Sequence, residues 1–586
     1  MVFKNITEQL EHILLSIFDR RPTTQEEFDR AKNKACSEHR ISQPENRVLF
    51  KAYQNLIEKK RVKKSDLMEQ FLQKAGVRSG SGIAIITSLT KPFPCPGKCI
   101  YCPTEVRMPK SYIASEPAAA RSLRLNFDPY ILMQQRIKML EANGHPTDKI
   151  EYIIKGGTWN AYTLPYQYWF ILESFRACND LTRRPSKRTR KAYDITKIKQ
   201  QDDWSKNEWG TKTLKTLQKE LAEEQEYNDK RATYKIIGLT LETRPDAVSP
   251  KSIFYMRQQG CTRVELGLQA ADDAILSLIN RGHTVEQCRQ AIYLLRSAGF
   301  KVDLHMMPDL PGTTPEHDVA MYRSLFEDTG LCPDMVKIYP CTVIPSAELY
   351  QWYKDGSYAP YGGEGLFRAL LDMKRATPRY CRISRIIRDI PATEIAAGNA
   401  ITNLREALEQ TLRKKGEHCV CLRCREIGRQ KKYIPADTKP VLFVDQYKTR
   451  GGTEYFISFE DPNRIAVFGF LRLRIPDDSM NEKKQKKRLF ELLPEIRSAA
   501  FIRELHVYGQ MMRVGQRKKN ATQHRGLGTK LVKKAEKIVA LQGIATVTII
   551  SGVGVRTYYR KLGYRKSGTY MVKCIQKTLV FKKTLS

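Results

Sequence analysis

IAIITSLTKPFPCPGKCIYC, residues 83–102, is the stretch on which the fold turns. Its first half, through Thr87, is a short apolar run of strand type. Its second half places three cysteines on a loop rich in proline and glycine, Cys95-Pro-Gly-Lys-Cys99-Ile-Tyr-Cys102. A C-x3-C-x2-C spacing lets three thiolates wrap one corner of a [4Fe–4S] cube and leaves one iron open to a small chelating molecule. A zinc loop and incidental cysteines are the competing readings, and Tyr101 directly before the third cysteine favours the cluster.

Five more runs of the same kind follow the first, at Ile150–Ile154, Lys235–Leu241, Arg263–Leu268, Lys301–Met306 and Val336–Tyr339. Amphipathic helical stretches such as Tyr130–Ala142 and Val285–Ala298 separate them. Strands alternating with helices predict an α/β fold of six βα units over residues 77–390, either a partial TIM-like barrel or a doubly wound sheet, with reactive groups at the C-terminal strand ends. Ahead of it, 1–76 reads as a basic helical extension. Thr23 and Glu26 suggest a capping box, and Lys59, Lys60, Arg61, Lys63 and Lys64 form a nearly unbroken basic run whose bland reading is a solvated face. Residues 181–200 hold eight Lys/Arg against one Asp and look like the start of an insert in the barrel, 181–230. Residues 391–440 form a polar linker, and from 441 to 586 a second, mixed α/β domain begins. Its β-rich runs are Tyr455–Phe459, Ile465–Leu473, Ile502–Val507 and Ala545–Ile550, with one strong helix from Gly528 to Leu541.

Composition narrows the function. The chain has 586 residues with 41% hydrophobic side chains, enough for several cores, which excludes wholesale disorder. Lys+Arg 100 against Asp+Glu 63 leaves a net charge of +37, which points to a polyanionic partner, since neutralising phosphates releases counterions. No run of about 18 uncharged apolar residues exists, so no transmembrane helix is expected. The first residues are not a secretory signal, and fourteen cysteines then fit a reducing compartment. A soluble cytoplasmic protein is expected.

Two further motifs carry chemistry. Gln523-His-Arg-Gly526-Leu-Gly528 precedes the helix of the second domain and matches the Q/R-x-x-G-x-G/A pattern of GNAT-type acetyltransferases. Glycines there expose backbone N–H groups at a helix N-terminus, where they can hold the pyrophosphate of CoA. ELHVYG (504–509) upstream and SGVGVRTYYRKLGY (551–564) downstream strengthen the pattern, although Tyr558 and Tyr559 could equally be packing aromatics. Cys419, Cys421 and Cys424 lie within six residues, a density suited to Zn²⁺ in a closed tetrahedral site. Cys341, Cys381 and His418 are candidates for the fourth ligand, with Cys341 preferred.

The cysteine loop resembles that of the radical S-adenosylmethionine (SAM) superfamily, and Gly156-Gly157-Thr158 after the second strand is similar to that superfamily's SAM-binding GG motif. LTLETRPD (239–246), TRVELGLQ (262–269), RGHT (281–284), KVDLHMMPDLPG (301–312), VKIYPCTVI (336–344) and EIAAGNAITNLRE (394–406) narrow the resemblance to the catalytic subunit of Elongator, over roughly 77–586. The resemblance implies a radical SAM partial barrel joined to a GNAT domain, making 5-carboxymethyluridine at the wobble position of tRNA from SAM and acetyl-CoA. It assigns Glu242 and Gln269 with Gly156 and Gly157 to cofactor binding. Acetyl-CoA contacts fall on Lys149, Glu504, Leu505, His506, Val507, Gln523, Gly526, Leu527, Gly528, Thr529 and Tyr559, while Tyr558, Tyr559 and Lys337 take catalytic places. The cysteine trio resembles the zinc loop of archaeal and bacterial relatives. An external electron donor is implied, with a homodimer or accessory subunits as further partners.

Two other classes of function compete with this one. A protein lysine acetyltransferase would need only 441–586 and leaves the cysteine loop and basic insert without a role. A non-catalytic tRNA-binding scaffold predicts damaged SAM or CoA motifs, and every motif here is intact.

Overall fold

The computed structural model describes residues 6–73, 82–183, 209–431, 433–435, 437–477, 483–508 and 526–575. Gln523 and most of the basic stretch that opens the insert lie outside the described residues. Arg183, at that stretch's near edge, is engaged with Glu224 at 3.0 Å and stands over the Tyr227 ring.

The N-terminal extension is four helices, α1 (Ile6–Asp19), α2 (Gln25–Glu38), α3 (Asn46–Glu58) and α4 (Asp66–Leu72), around a core of their own that includes Ile13, Leu14, Phe28, Leu49, Tyr53 and Leu56. The expected capping box is displaced by one residue. Thr24 caps α2 by accepting from the Glu27 N–H at 3.2 Å, and Glu27 reaches back to the Thr23 N–H at 2.7 Å. Part of the basic run is paired, since Lys59 binds Glu11 at 2.7 Å.

Seven parallel strands build the central sheet. They are β1 (Ala84–Leu89), β2 (Lys149–Lys155), β3 (Lys235–Thr243), β4 (Arg263–Gln269), β5 (Lys301–Met306), β6 (Met335–Ile338) and, after the two-residue strand β7 (Thr342–Val343), β8 (Arg382–Arg385). β7 pairs with another two-residue strand, β9 (Ala397–Gly398). The order β1-β2-β3-β4-β5-β6-β8 follows the chain without reversal, which rules out the doubly wound alternative, and β1 and β8 remain edges. This is the partial barrel. Along β2 the residues alternate: Ile150, Tyr152 and Ile154 are buried, while Lys149, Glu151, Ile153 and Lys155 are half-buried on the other face.

That inner face is charged. Arg263 pairs with Glu151 at 2.7 Å, Lys337 with Glu265, and Ser384 donates to Asp303 at 3.3 Å. Closed TIM barrels fill the same space with layers of branched apolar side chains.

The C-terminal sheet runs β10 (Val441–Thr449), β11 (Gly452–Glu460), β12 (Val467–Pro476), β13 (Ala500–Val507), β14 (Thr546–Ile549), β16 (Tyr570–Cys574) and β15 (Arg565–Ser567), with neighbours antiparallel except β13 and β14. β14 pairs only with Ala500–Ile502, so from Arg503 onward β13 has lost its neighbour on that side. A bulge between Arg472 and Leu473 lets both Arg503 and Glu504 face the barrel. The helix Leu527–Leu541 packs behind the sheet against Ile502 and Val547.

The two sheets meet through charges at the N-terminal ends of the barrel strands. Arg503 donates to Asp334 at 2.8 Å and to the Phe300 carbonyl at 2.6 Å, Arg472 binds Glu504 at 2.8 Å, and Lys301 lies 3.5 Å from Glu504. Glu454 takes both Arg474, at 2.7 Å, and Arg503, at 3.0 Å. The side chains of Asp334 and Arg503 are both 0% exposed. Gly552 marks how closely the backbones approach, because a Cβ there would stand 1.8 Å from the Ile237 carbonyl oxygen. Among the described residues no helix is long and apolar enough to cross a membrane.

Asp334→Ala should destabilise the protein by about 3 kcal/mol, because it removes the carboxylate that Arg503 and Arg472 share and leaves these buried guanidiniums with Glu454 and Glu504 alone. Equilibrium denaturation would check it, and a loss under 1 kcal/mol would refute these charge pairs as a main support of the interface. Burial alone would raise the Glu504 carboxyl, but Lys301 and Arg472 outweigh it and hold it down from 4.5 to about 2. Its contribution is therefore complete above pH 4.5 and fades as pH falls towards 2, so acid unfolding should begin in that window and shift when Glu504 becomes Gln.

Candidate active site

The cysteine loop caps the C-terminal end of the barrel strands. The Ile100 N–H donates to the Ile279 carbonyl at 3.2 Å, and the Ile100 carbonyl accepts from Leu349 N–H at 2.9 Å, which ties the loop to two neighbouring connections. Arg281 donates to the Cys99 sulfur at 3.4 Å and to the Gly267 carbonyl. A hydrogen bond from Cys102, together with the Arg281 charge, outweighs burial and brings the Cys99 thiol down to about 4, while Cys102 is pushed up. One thiolate is thus already stabilised at a buried position. Cys95 turns the other way, with its sulfur 3.8 Å from the Thr158 hydroxyl. So Cys99 and Cys102 touch, while Cys95 sits beside the turn that follows β2.

That turn holds Gly156 and Gly157, both at positive φ (140° and 88°). At Gly156 a Cβ would stand 1.8 Å from the Thr90 hydroxyl. Around the same mouth, Glu242 at the end of β3 accepts from the Tyr112 hydroxyl at 2.7 Å, and Gln269 ends β4 with φ 78°. His305 lies 3.7 Å from Glu242 and 3.3 Å from Glu265, and its ring packs edge-on to Tyr339. Lys337 does not reach the mouth freely, because its ammonium is committed to Glu265. The donor set, with three cysteines on one loop beside a glycine turn and an arginine, fits a cluster with one open iron.

At the opposite end, β13 presents Leu505, His506 and Val507. Leu505 and Val507 pack towards the helix Leu527–Leu541, and His506 stacks on Phe470 on the barrel side. The helix begins at Gly526 in the left-handed region (φ 87°), so Leu527, Gly528 and Thr529 form its first turn. Tyr558 lies over that turn, its hydroxyl bonded to Thr529 and closing on Gly528. Tyr559 is buried in the acetyltransferase core, 5.3 Å from the Tyr558 ring and packed against Tyr564. Of the two expected tyrosines, Tyr558 is the one at the first turn of this helix. The Glu504 carboxylate is spent on the domain interface, which leaves its backbone for any cofactor contact.

Both ends open into one cavity of about 4560 Å³. Tyr101, Glu242, Gln269, His305 and Tyr339 line its upper part, and Lys149, Leu505, His506 and Val507 its floor. Residues of α3, including Arg47 and Lys51, form an outer wall.

The sulfurs of Cys419, Cys421 and Cys424 lie within 4.8 Å of one another, all buried. Cys341 does not join them. Its N–H is held by the Pro308 carbonyl at 2.8 Å and its thiol faces Tyr358, so the preferred fourth ligand is corrected. Cys381 is nearer, its carbonyl accepting from Leu422 N–H at 2.9 Å, and the carboxylate beside the trio is Glu409, 3.5 Å from the Cys424 sulfur. Lys374, fully buried, stands 3.7 Å from Cys424. Arg281, His305, Tyr112 and Glu409 were not picked out from the sequence. Two of them sat inside quoted motifs, RGHT and KVDLHMMPDLPG, and the other two carried no signal.

The radical SAM superfamily model matches residues 209–325 and the Radical_SAM C-terminal domain matches 333–414. A tRNA uridine(34) acetyltransferase of Methanocaldococcus infernus is 38% identical over 577 residues, covering 96% of this chain and 98% of that protein. Elongator complex protein 3 of Homo sapiens is 33% identical over 513 residues, 85% of each chain. The solved structure of M. infernus Elp3 with an N-terminal deletion (1-46) matches at a TM-score of 0.66, with 36% identity over 84% of this chain and 100% of that one.

Gly156→Ala should cost about 2 kcal/mol or more, since it combines a strained φ with a clash against Thr90. In a double-mutant cycle Thr90→Ala should recover part of that loss in thermal unfolding, and strict additivity would show that the contact is not the cause.

Proposed function

The chain belongs to the family of tRNA uridine(34) acetyltransferases and Elongator complex protein 3, and on that premise we propose that it is a radical SAM enzyme that uses acetyl-CoA to place a carboxymethyl group on C5 of the wobble uridine of tRNA. One observation carries the reading: a single cavity touches both the cysteine-loop end of the barrel and the free edge of β13. When bound, the cluster and SAM supply a carbon-centred radical able to take hydrogen from the acetyl methyl, the step that joins the two halves of the chemistry.

The residues of this chain bind, orient and shield. Cys95, Cys99 and Cys102 would hold the cluster, with Arg281 donating to the Cys99 sulfur. Gly156, Gly157, Glu242 and Gln269 would hold SAM at the mouth. Leu505–Val507 and Leu527–Thr529 would hold acetyl-CoA along the free strand edge and the helix start, with Tyr558 over the turn and Lys149 on the cavity floor. Because β2 has seven residues, the acyl arm must cover roughly 20 Å between floor and mouth. The buried charge pairs between the sheets argue for reach through the cavity rather than closure of the domains. The wobble base must leave its stack to enter, as in other enzymes that act on a base. The electron comes from an external donor. Cys419, Cys421 and Cys424 would take structural Zn²⁺, with Glu409 the nearest carboxylate. A protein lysine acetyltransferase remains the second reading, and it gives the upper half of the cavity no task.

After anaerobic reconstitution, with SAM, acetyl-CoA and a reductant, mass spectrometry of tRNA nucleosides should show the carboxymethylated uridine. The Cys95/Cys99/Cys102→Ala variant should lose it completely, and product from that variant would overturn the reading. Lys149→Ala should stop modification while tRNA affinity and iron content stay near wild type. Cys421→Ser should lower zinc content and melting temperature together, whereas Cys341→Ser should change neither.

A further inference from the structure

Between the cysteine trio and β13, the cavity wall carries arginines that its acids do not balance. Arg423 stands among Arg382, Arg405 and Arg429. Glu426 is the carboxylate that attracts it, but Glu426 is already paired with Arg382 and, at 3.4 Å, with Arg429. Arg405 lies 3.9 Å from Glu409, which Lys374 shares at 3.8 Å. Glu426 and Glu409 therefore serve four guanidiniums and one ammonium, and Glu151, which also attracts Arg382, is already paired with Arg263 at 2.7 Å. Three thiolates on one Zn²⁺ would add a single negative charge and leave the wall cationic. Among the described residues the Arg423 guanidinium donates no hydrogen bond, and its Nε is buried with no partner. Arg382, Arg423 and Arg429 all line the cavity.

Guanidiniums stay charged at any working pH, so the crowding cannot be relieved by losing protons. It can be relieved by an anion, and the planar fork of arginine matches the oxygens of a phosphate. We propose that Arg423, with Arg429 beside it, is the seat of a backbone phosphate of the RNA substrate close to the nucleotide that enters the cavity. The proposal rests on the reading of this chain as a tRNA-modifying enzyme and names a contact for it. CoA also carries phosphates, but the turn expected to hold them, Gly526–Thr529, starts the helix on the far face of β13. The arginines act from the barrel-facing side, where Arg382 and Glu426 surround Tyr508. This wall also lies beside β8, one of the two unpaired edges through which a macromolecule can approach.

The test uses the full-length reconstituted protein with an anticodon stem-loop RNA. Arg423→Gln should weaken RNA binding about tenfold at low salt and flatten the dependence of log affinity on log salt by about 0.7 for the lost single-strand contact. Acetyl-CoA affinity should be unchanged, and Arg423→Lys should restore most of the salt slope. Arg429→Gln, which leaves Glu426 its pair with Arg382, should act in the same direction and guards against a folding defect in the first variant. Wild-type slope and affinity in both glutamine variants would overturn the phosphate seat while leaving the enzymatic reading intact. Weakened acetyl-CoA binding with unchanged RNA binding would overturn it in favour of a CoA phosphate. A wild-type protein that fails to bind the RNA at all would instead defeat the tRNA reading itself.

Discussion

A single buried carboxylate, Asp334, accepts Arg503 from the other sheet at 2.8 Å and stands 3.6 Å from Arg472, and the placement of both halves depends on it. Burying such charges is costly, and well-packed apolar residues could often stabilise an interface as well. What an arginine fork adds is direction. It fixes how far and at what angle β13 lies beneath the barrel, whereas apolar contact tolerates sliding. Glu504 extends the same constraint, because it belongs to β13 yet is held by Lys301 of β5. The strand that would carry acetyl-CoA is thus oriented by the barrel it must serve.

The charged inner face of the barrel follows from the same demand. Layers of valine and isoleucine would fill a seven-stranded partial barrel and close the route between its ends. Here Glu151–Arg263 and Glu265–Lys337 pair along the wall rather than across the middle. An opening between β1 and β8 lets the cavity reach the surface, and α3 covers part of it. The space is open because the strands stop at seven and the wall is ionic, two features of one design.

Much of this was legible in the sequence because it is local. All six expected barrel runs are strands, β5 to the residue, and the helix after the glycine pattern begins within one residue of expectation. The seventh strand was missed since Arg-Ile-Ser-Arg (382–385) has one apolar residue, and a strand buried through ion pairs gives no hydrophobic run. β10 escaped for a related reason: it is an edge strand with alternating exposure, and its neighbour Tyr455–Phe459 had the stronger pattern. Cys341 failed as a ligand because sequence spacing says nothing about which way a distant strand end faces. Tyr558 and Tyr559 could not be told apart either. On a five-residue helix consecutive side chains point about 100° apart, so one meets the turn and the other the core.

The arrangement of the two ends bears on how a reactive intermediate could be contained. Loops at the C-terminal ends of barrel strands are the usual place for reactive groups, since the strands hold them rigidly while the loops vary. The second site could have been added at the same end, where it would have competed for those loops. Docking it at the N-terminal ends instead uses strand starts, such as Lys301 and the residue before β6, Asp334, which have no loop task. Each site then keeps its own binding elements, and only the cavity is shared. In the proposed reaction a base entering from the side would meet the mouth while the acyl arm spans the cavity from the floor, so the distance between the two sites would be set by strand length rather than by a hinge. The buried charges at the floor would then belong to the geometry of the proposed reaction as well as to that of the fold.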